Sequence, residues 1–327
     1  MTWLVTGGAG YIGAHVVRAM LDDGTAVVAL DDLSTGAAVR VPDAPLVQGS
    51  VLDRALLDRT LADHGIRGVV HIAAKKQVGE SVEDPLFYYR ENVSGLVTLL
   101  EACRAAGVDR FVFSSGAATY GLPDVDLVTE DTPCAPLSPY GETKLVGEWL
   151  LRDCATAYGL RTMALRYFNV AGAAGPELAD PGVFNLIPMV FRELEAGSRP
   201  KVFGADYPTP DGTCIRDYVH VADIAAAHLA AARALDGGAG SATYNIGRGQ
   251  GSSVLEVLDV IGTVTGRDVT PDVVARRPGD PARVVAAVDR IRDGLGFVAP
   301  RDLADMVTSA WTGWRAARDA PAGLANG

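Results

Sequence analysis

Apolar runs of strand length alternate with helical patterns through the first half of the chain. Near-continuous apolar stretches predict strands at Trp3–Thr6, Ala26–Asp31, Gly68–His71, Arg110–Ser114 and Arg161–Tyr167. Between them, apolar residues at helical spacing predict helices over Tyr11–Asp22, Arg54–His64, Pro85–Ala106 and Tyr140–Tyr158. Strands apolar on both faces, each followed by a helix, predict an α/β fold built on a doubly wound parallel sheet. From about Val170 the pattern loosens. Ala171–Gly182 reads as a Gly/Pro/Ala loop and Gly204–Gly212 as a polar turn, and such loops commonly carry ligand contacts. Helical periodicity returns at Val221–Leu235, Val254–Thr265 and Leu303–Arg315. The small, polar tail after about residue 319 is expected to be disordered.

Composition narrows the function classes. The 327 residues suit one large or two closely joined domains. A net charge of -11 argues against sequence-independent binding of nucleic acid, which needs a basic surface. No apolar run approaches the ~18 residues needed to cross a bilayer. The first strand starts at Trp3, which leaves no room for a basic leader. Cys103, Cys134, Cys154 and Cys214 show no CxxC spacing and read as reduced thiols, with neither a disulfide frame nor a metal site. A cytoplasmic location is expected, with no nucleic-acid or membrane partner.

Gly7, Gly10 and Gly13 lie between the first strand and the first helix. There the chain must turn tightly and present backbone N–H groups to a pyrophosphate. A glycine triplet alone is weak evidence, but strand, helix and second strand stand where a dinucleotide site of Rossmann type requires them. The second strand ends in Asp31, 18 residues beyond Gly13, near the ~20 expected for the carboxylate that accepts from ribose hydroxyls. A carboxylate there repels a 2′-phosphate, which favours NAD over NADP. Asp32 follows directly, and either carboxylate could face the ribose.

Tyr140 and Lys144, four apart on a helix, share one face. A neighbouring ammonium, together with the positive nicotinamide ring, is expected to pull the phenol from its usual ~10 toward neutrality. Tyr140 is then a proton-transfer group at working pH. No metal spacing connects the histidines, and His15, His71 and His220 read as structural.

With these pieces in place the chain resembles the extended short-chain dehydrogenase/reductase family and, within it, the UDP-glucose (UDP-galactose) 4-epimerases. The likeness runs from Trp3 to about Arg315. It rests on Gly7–His15, Asp31–Gly36, the His71–Ser81 segment, Ser138–Lys144, Leu165–Asn169, Asp206–Tyr218 and Arg276–Asp280. The resemblance implies reversible epimerisation at C4 of a UDP-hexose by transient hydride transfer to tightly bound NAD. It implies a Rossmann domain over residues 1–168, with a segment near 215–247 returning to it. A smaller, mainly UDP-sugar-binding domain would span 169–327. A homodimer formed through Pro85–Ala106 and Tyr140–Tyr158 is expected on the same ground.

Carried over residue by residue, the cofactor contacts would be Gly7, Gly10, Tyr11, Ile12 and Gly13, then Asp31, Asp32, Leu33, Ser34, Thr35 and Gly36. Ser50, Val51, Ile72, Ala73, Ala74, Lys76 and Phe168 would complete them, with Tyr140 and Lys144 shared with catalysis. Arg216 and Arg277 would receive the diphosphate by charge-assisted hydrogen bonds. Asp280 resembles the uridine-ribose acceptor, Asn169, Asn185 and Leu186 the diphosphate and sugar contacts, and Val202 with Phe203 the uracil wall. Lys76 and Gly116 would border the sugar.

The chain departs from the family's pattern at Gly116. These epimerases place there a serine or threonine that hydrogen-bonds the 4-hydroxyl. Losing such a donor costs ~10²–10³ in rate, and Ser115 or a water is the candidate to replace it. Ser50 and Glu91 stand where the family carries an aspartate near adenine and an asparagine. Val284 falls where the family has either a bulky tyrosine or a small residue, so the pocket is expected to admit a 2-acetamido group, as in UDP-GlcNAc/UDP-GalNAc. Two other readings stay open: a UDP-glucuronate 4-epimerase, and a catalytically weakened protein that binds NAD and UDP-sugar. Ala117 and Ala118 occupy the place of the acid that related dehydratases and decarboxylases need.

Overall fold

A computed structural model describes residues 1–277 and 279–319; the tail expected to be disordered begins at the edge of this range. The first half runs β1 (Thr2–Thr6), α1 (Tyr11–Asp22), β2 (Ala26–Asp31), β3 (Leu46–Gln48), α2 (Arg54–Asp63) and β4 (Ile66–His71). It continues with α3 (Val78–Glu83), α4 (Pro85–Tyr88), α5 (Gly95–Ala106), β5 (Arg110–Gly116), α6 (Pro139–Tyr158) and β6 (Arg161–Tyr167). The second half begins with β7 (Asn169–Ala171), α7 (Leu186–Glu195), β8 (Lys201–Phe203), β9 (Ile215–His220), α8 (Val221–Asp236) and β10 (Ala242–Ile246). Then follow β11 (Gly251–Ser253), α9 (Val254–Thr265), β12 (Asp272–Val274), β13 (Arg283–Val284), α10 (Asp289–Leu295) and α11 (Leu303–Asp319).

Seven strands form one parallel sheet in the order β3-β2-β1-β4-β5-β6-β10. This is the doubly wound α/β architecture expected. Alternate residues of β1 explain why both faces are covered. Trp3 and Val5 enter one core with Val16, Val17, Ile224 and Ala231, while Leu4 enters another with Leu57, Leu99, Phe111 and Leu151. The strand order reverses direction between β1 and β4. A crevice therefore opens outside the carboxyl ends of these strands, the usual ligand site of such sheets.

The second half builds a smaller sheet around β9, which pairs in parallel with β7 and β13 and antiparallel with β11. A parallel pair, β8–β12, stands beside it. Phe191, Val202, Tyr218, Ile261, Met306 and Trp314 pack together as its core. The segment near 215–247 divides between the two sheets. β9 lies in the small one, and β10 pairs with β6 at the edge of the large one. No helix among the described residues is long and apolar enough to cross a membrane.

The helix expected over Pro85–Ala106 is interrupted. Tyr89–Ser94 forms a π-turn between α4 and α5. Its buried Asn92 uses the side-chain amide on the backbone of Lys75, and the widened turn supplies the extra residue that this requires. Helix α6 is fixed at its start by Ser138, whose hydroxyl accepts from the Gly141 N–H at 3.2 Å, with Pro139 in the first turn. Gly159 ends it in the left-handed conformation.

Four of the five histidines are buried and neutral. Burial lowers His71 to about 3, helped by the Lys144 ammonium, and holds His15, His220 and His228 at about 4. His15 Nδ1 donates to the Tyr11 carbonyl and Nε2 accepts from Ala174 N–H. His228 likewise donates to the Ile224 carbonyl and accepts from Ser114 Oγ. An unfolded chain takes up these protons near pH ~6.5, the folded one only near 3–4, so the unfolded state binds more protons between those limits. Stability is therefore full above about pH 6.5 and falls as pH drops toward 4, by at most ~1.4 kcal/mol per pH unit for each histidine. Thermal midpoints measured from pH 8 to pH 4.5 are expected to be level at first and then to decline steeply; a level trace throughout would refute this account.

Candidate active site

The carboxyl ends of β1, β2, β4, β5 and β6 open into one cleft of about 720 Å³. At its centre lies the glycine turn. Gly7 takes φ +68°, which a side chain would strain, and Gly13 packs so tightly that a Cβ would stand 1.9 Å from the Gly7 carbonyl oxygen. That contact presses the start of α1 onto the turn; the turn's own N–H groups bond within the protein, so the donors a pyrophosphate could use are the unpaired ones of the first turn of α1. Gly7, Gly10, Tyr11, Ile12 and Gly13 all line the wall.

The carboxylates at the end of β2 take different work. Asp31 accepts from Ala9 N–H at 2.9 Å and Leu33 N–H at 2.8 Å, tying the glycine turn to the second strand. Burial raises its carboxyl above the usual range against those bonds. Asp32 is exposed, and both carboxylates line the cleft with Ser34 and Thr35. Leu33 and Gly36 do not. Leu33, at φ +59°, packs against the core, and Gly36 backs onto the Asp31 carboxylate, where a Cβ would stand 2.8 Å from an oxygen. The Leu33 side chain and the side of Gly36 that a Cβ would occupy thus face the protein, which leaves only their backbone for the expected cofactor contacts. Ser50, Val51, Ile72, Ala73, Ala74 and Lys76 complete this half of the cleft. The glycine cradle, the paired carboxylates and the volume of the cleft fit a dinucleotide.

Tyr140 and Lys144 stand on α6 and line the same cleft. Lys144 is buried, donates to the Ser114 carbonyl at 2.7 Å, and has its ammonium 6.0 Å from the centre of the Tyr140 ring. Burial lowers Lys144 to about 8, partly opposed by Glu148, and raises the Tyr140 phenol to about 12. The expected fall toward neutrality is not a property of these protein groups alone. One ammonium at this distance does not offset the loss of water around the phenol, and a further positive charge beside the ring would favour its ionisation.

Ser115 does not substitute for the missing donor. It is buried, and its hydroxyl donates to Glu148 at 2.5 Å, away from the cleft. Glu148 pairs with Arg166, which also donates to Tyr120 Oη at 2.9 Å; Tyr120 bonds Asn245. The serine thus belongs to a buried ion-pair network under α6. Gly116 does line the cleft, with extended backbone at φ -167°. A Cβ there would stand 3.8 Å from Tyr140 Oη and 3.7 Å from the Tyr167 carbonyl oxygen, ordinary contact distances.

The other half of the cleft holds Phe168, Asn169, Asn185 and Arg277. Leu186 lines a smaller adjoining cavity with Asn185. Arg216 donates to Asp280 at 3.1 Å, and Val284 pairs with Arg216 across β9 and β13. The Arg277 guanidinium lies 3.8 Å from the centre of the Phe203 ring. Arg216, Asp280, Val284 and Phe203 are outside the cleft wall proper, grouped beside Arg277. Val202, expected in the uracil wall with Phe203, has its side chain buried in the small domain's core, since alternate residues of a strand face opposite ways, and only its backbone is left to that wall.

A model of the NAD dependent epimerase/dehydratase family matches residues 3–247. The chain belongs to that family. Among its relatives, a UDP-glucose 4-epimerase of Azospirillum brasilense is 47% identical, over 98% of this chain and 94% of that one. A Brucella ovis UDP-glucose 4-epimerase, solved with NAD, is 43% identical with a TM-score of 0.92, over 94% of this chain and 97% of that one. Another, from Stenotrophomonas maltophila, holds NAD and a formylated UDP-arabinopyranose; it is 41% identical with a TM-score of 0.94, over 98% and 100%. In this member of the epimerase/dehydratase family, sequence reasoning passed over Tyr167, Lys75, Asp180 and Phe184, all in the cleft wall. Tyr167 had a usable signal, since it closes β6 at the carboxyl edge of the sheet. Asp180 and Phe184 sit in a loop whose path no local pattern reveals.

Proposed function

We propose that this protein interconverts UDP-hexoses at C4, UDP-Glc with UDP-Gal, and that its pocket also takes the 2-acetamido pair. The observation that carries the reading is the presence of Tyr140 and Lys144 in the same cleft as the glycine turn. The near-full-length similarity to UDP-glucose 4-epimerases supports it. NAD, when bound, supplies a reversible hydride sink and a positive ring near Tyr140. The Tyr140 phenolate takes the 4-hydroxyl proton and gives it back from the same position, while Lys144, anchored on the Ser114 carbonyl, supplies the nearby charge and would hold the nicotinamide ribose. Arg216 and Arg277 receive the diphosphate, with Asp280 on the uridine ribose and Asn169 and Asn185 at the sugar. In this reading residues 1–168 hold NAD, with the segment near 215–247 returning to them, and 169–327 mainly bind the UDP-sugar. Valine at 284 in place of a bulky ring supports the wider sugar range.

A homodimer through α5 and α6 belongs to the same proposal, supported by Trp149 (47% exposed) and Val97 (37%) on those helices. So does a cytoplasmic location, supported by free Cys103, Cys134, Cys154 and Cys214 and open to check by cell fractionation.

Product NMR on UDP-Glc, UDP-Gal, UDP-GlcNAc and UDP-GlcA is expected to show C4 epimers of the first three, and Tyr140→Phe to lose ~10²–10⁴ of the rate. Retained conversion in that variant removes the mechanism, and a large preference for the unacetylated pair removes the role of Val284. Gly116→Ser places a hydroxyl beside Tyr140 without a clash and is expected to raise kcat roughly tenfold or more; an unchanged or lower kcat rejects the assigned role. Light scattering is expected to give a dimer that Trp149→Glu weakens, whereas a wild-type monomer at micromolar concentration rejects the interface.

A further inference from the structure

The glycine turn follows β1, and its sheet neighbours β2 and β4 end in loops on either side of it. Adjacent strands stand ~4.8 Å apart, so the two flanking loops are roughly 10 Å from each other. A contact between them has to span the mouth of the turn. Lys75 makes it. Its ammonium donates to Ser34 Oγ at 3.1 Å, and Ser34 Oγ donates in turn to Asp32 Oδ1 at 2.7 Å. Lys75, Ser34 and Asp32 all line the cleft.

The root of this lysine is fixed. Its N–H donates to Asn92 Oδ1 at 2.8 Å, and its carbonyl accepts from Asn92 Nδ2 at 3.0 Å. Asn92 is buried on the π-turn and also donates to Thr143 Oγ1, beside Lys144 on α6, at 3.0 Å. The tip of Lys75 thus reaches the loop after β2 from a base tied to the helix that carries Tyr140. Its charge is felt at the far end. Burial opposes ionisation of Asp32, yet the Ser34 bonds and the Lys75 ammonium outweigh it and hold that carboxyl below the usual range. Lys76, by contrast, lies on the Tyr11 side, its ammonium 6.0 Å from that ring's centre.

We infer that Lys75, through Ser34 and Asp32, forms a latch across the ribose–diphosphate stretch of the bound dinucleotide and slows its release. The inference rests on the NAD site proposed above. A bound dinucleotide would bring two phosphate charges into the cleft that this ammonium lines, and their attraction for it would add to the latch. Release then requires the Lys75–Ser34 contact to break, and salt weakens that contact.

The test is the rate at which NAD leaves loaded protein, followed by chase and gel filtration at low and high salt. Lys75→Met is expected to release NAD roughly threefold to tenfold faster than wild type, the range of one partly exposed charged contact. Lys75→Arg is expected to stay within about twofold. Ser34→Ala should lie between, and the double variant should be no faster than Lys75→Met, because both changes remove one contact. High salt should bring wild type toward Lys75→Met. If wild type retains NAD while Lys75→Met releases it at the same rate, or if the two substitutions add, the latch is overturned and the NAD site stands. If wild type cannot be loaded with NAD at all, the site reading fails and the latch falls with it.

Discussion

Gly13 faces the Gly7 carbonyl across a gap that admits a hydrogen and no carbon. The cleft is organised around that contact. It seats the first turn of α1 on the end of β1, while Gly7 and Gly8 N–H groups bond the Leu30 carbonyl and Asp31 holds Ala9 from the next strand. The turn is therefore rigid before any ligand arrives, with its own N–H groups all bonded within the protein, and the donors left for a ligand are those of the first turn of α1. Preorganisation of this kind lowers the entropy that binding must offset. Helix α1, fixed at its start, then packs through Val16 and Val17 into the core it shares with α8, which leads into β10 at the sheet's far edge.

The chemistry at the other end of the cleft has the opposite character, because its surroundings disfavour the charged forms of its groups. Lys144 is buried and Tyr140 half-buried, and loss of water moves the phenol up and the ammonium down, toward the neutral state of each. The one positive group that the protein sets over the ring, the Lys144 ammonium at 6.0 Å, leaves the phenol raised, so a further cation would favour the phenolate. Proton transfer is thereby tied to occupancy of the cleft: the same desolvation that suppresses ionisation of the isolated side chain strengthens every charge interaction once a cation is near.

How much of this was legible depended on length and depth. The strands and helices of the large sheet were readable because each spans enough residues to show a period; α1, β2 and β6 fall on the expected boundaries. The strands of the small sheet beside β9 run only two or three residues, too few to show alternation, and α7 was passed over inside a loop-rich stretch. Within the site, positions set by backbone spacing, such as Gly13 and Tyr140, were legible. Directions of side chains were not. Ser115 turns inward because Glu148 and Arg166 lie behind β5, and Val202 turns inward while Phe203 does not. Lys75 and Lys76 look alike in sequence, and only the π-turn around Asn92 distinguishes their paths. The Tyr140 phenol moved against expectation because depth of burial has no local sequence signature.

The ion pair beneath α6 constrains how this chain can change over time. Glu148 and Arg166 are each less than a tenth exposed and share Ser115 and Tyr120 as satellites. Replacing one partner strands the other's charge in the interior, at a cost of about 3–5 kcal/mol, whereas exchanging both for apolar residues of matched volume is close to neutral. Single steps away from this pair therefore cross a valley, while the concerted double step does not. The helix that presents Tyr140 thus rests on two positions that drift together or not at all.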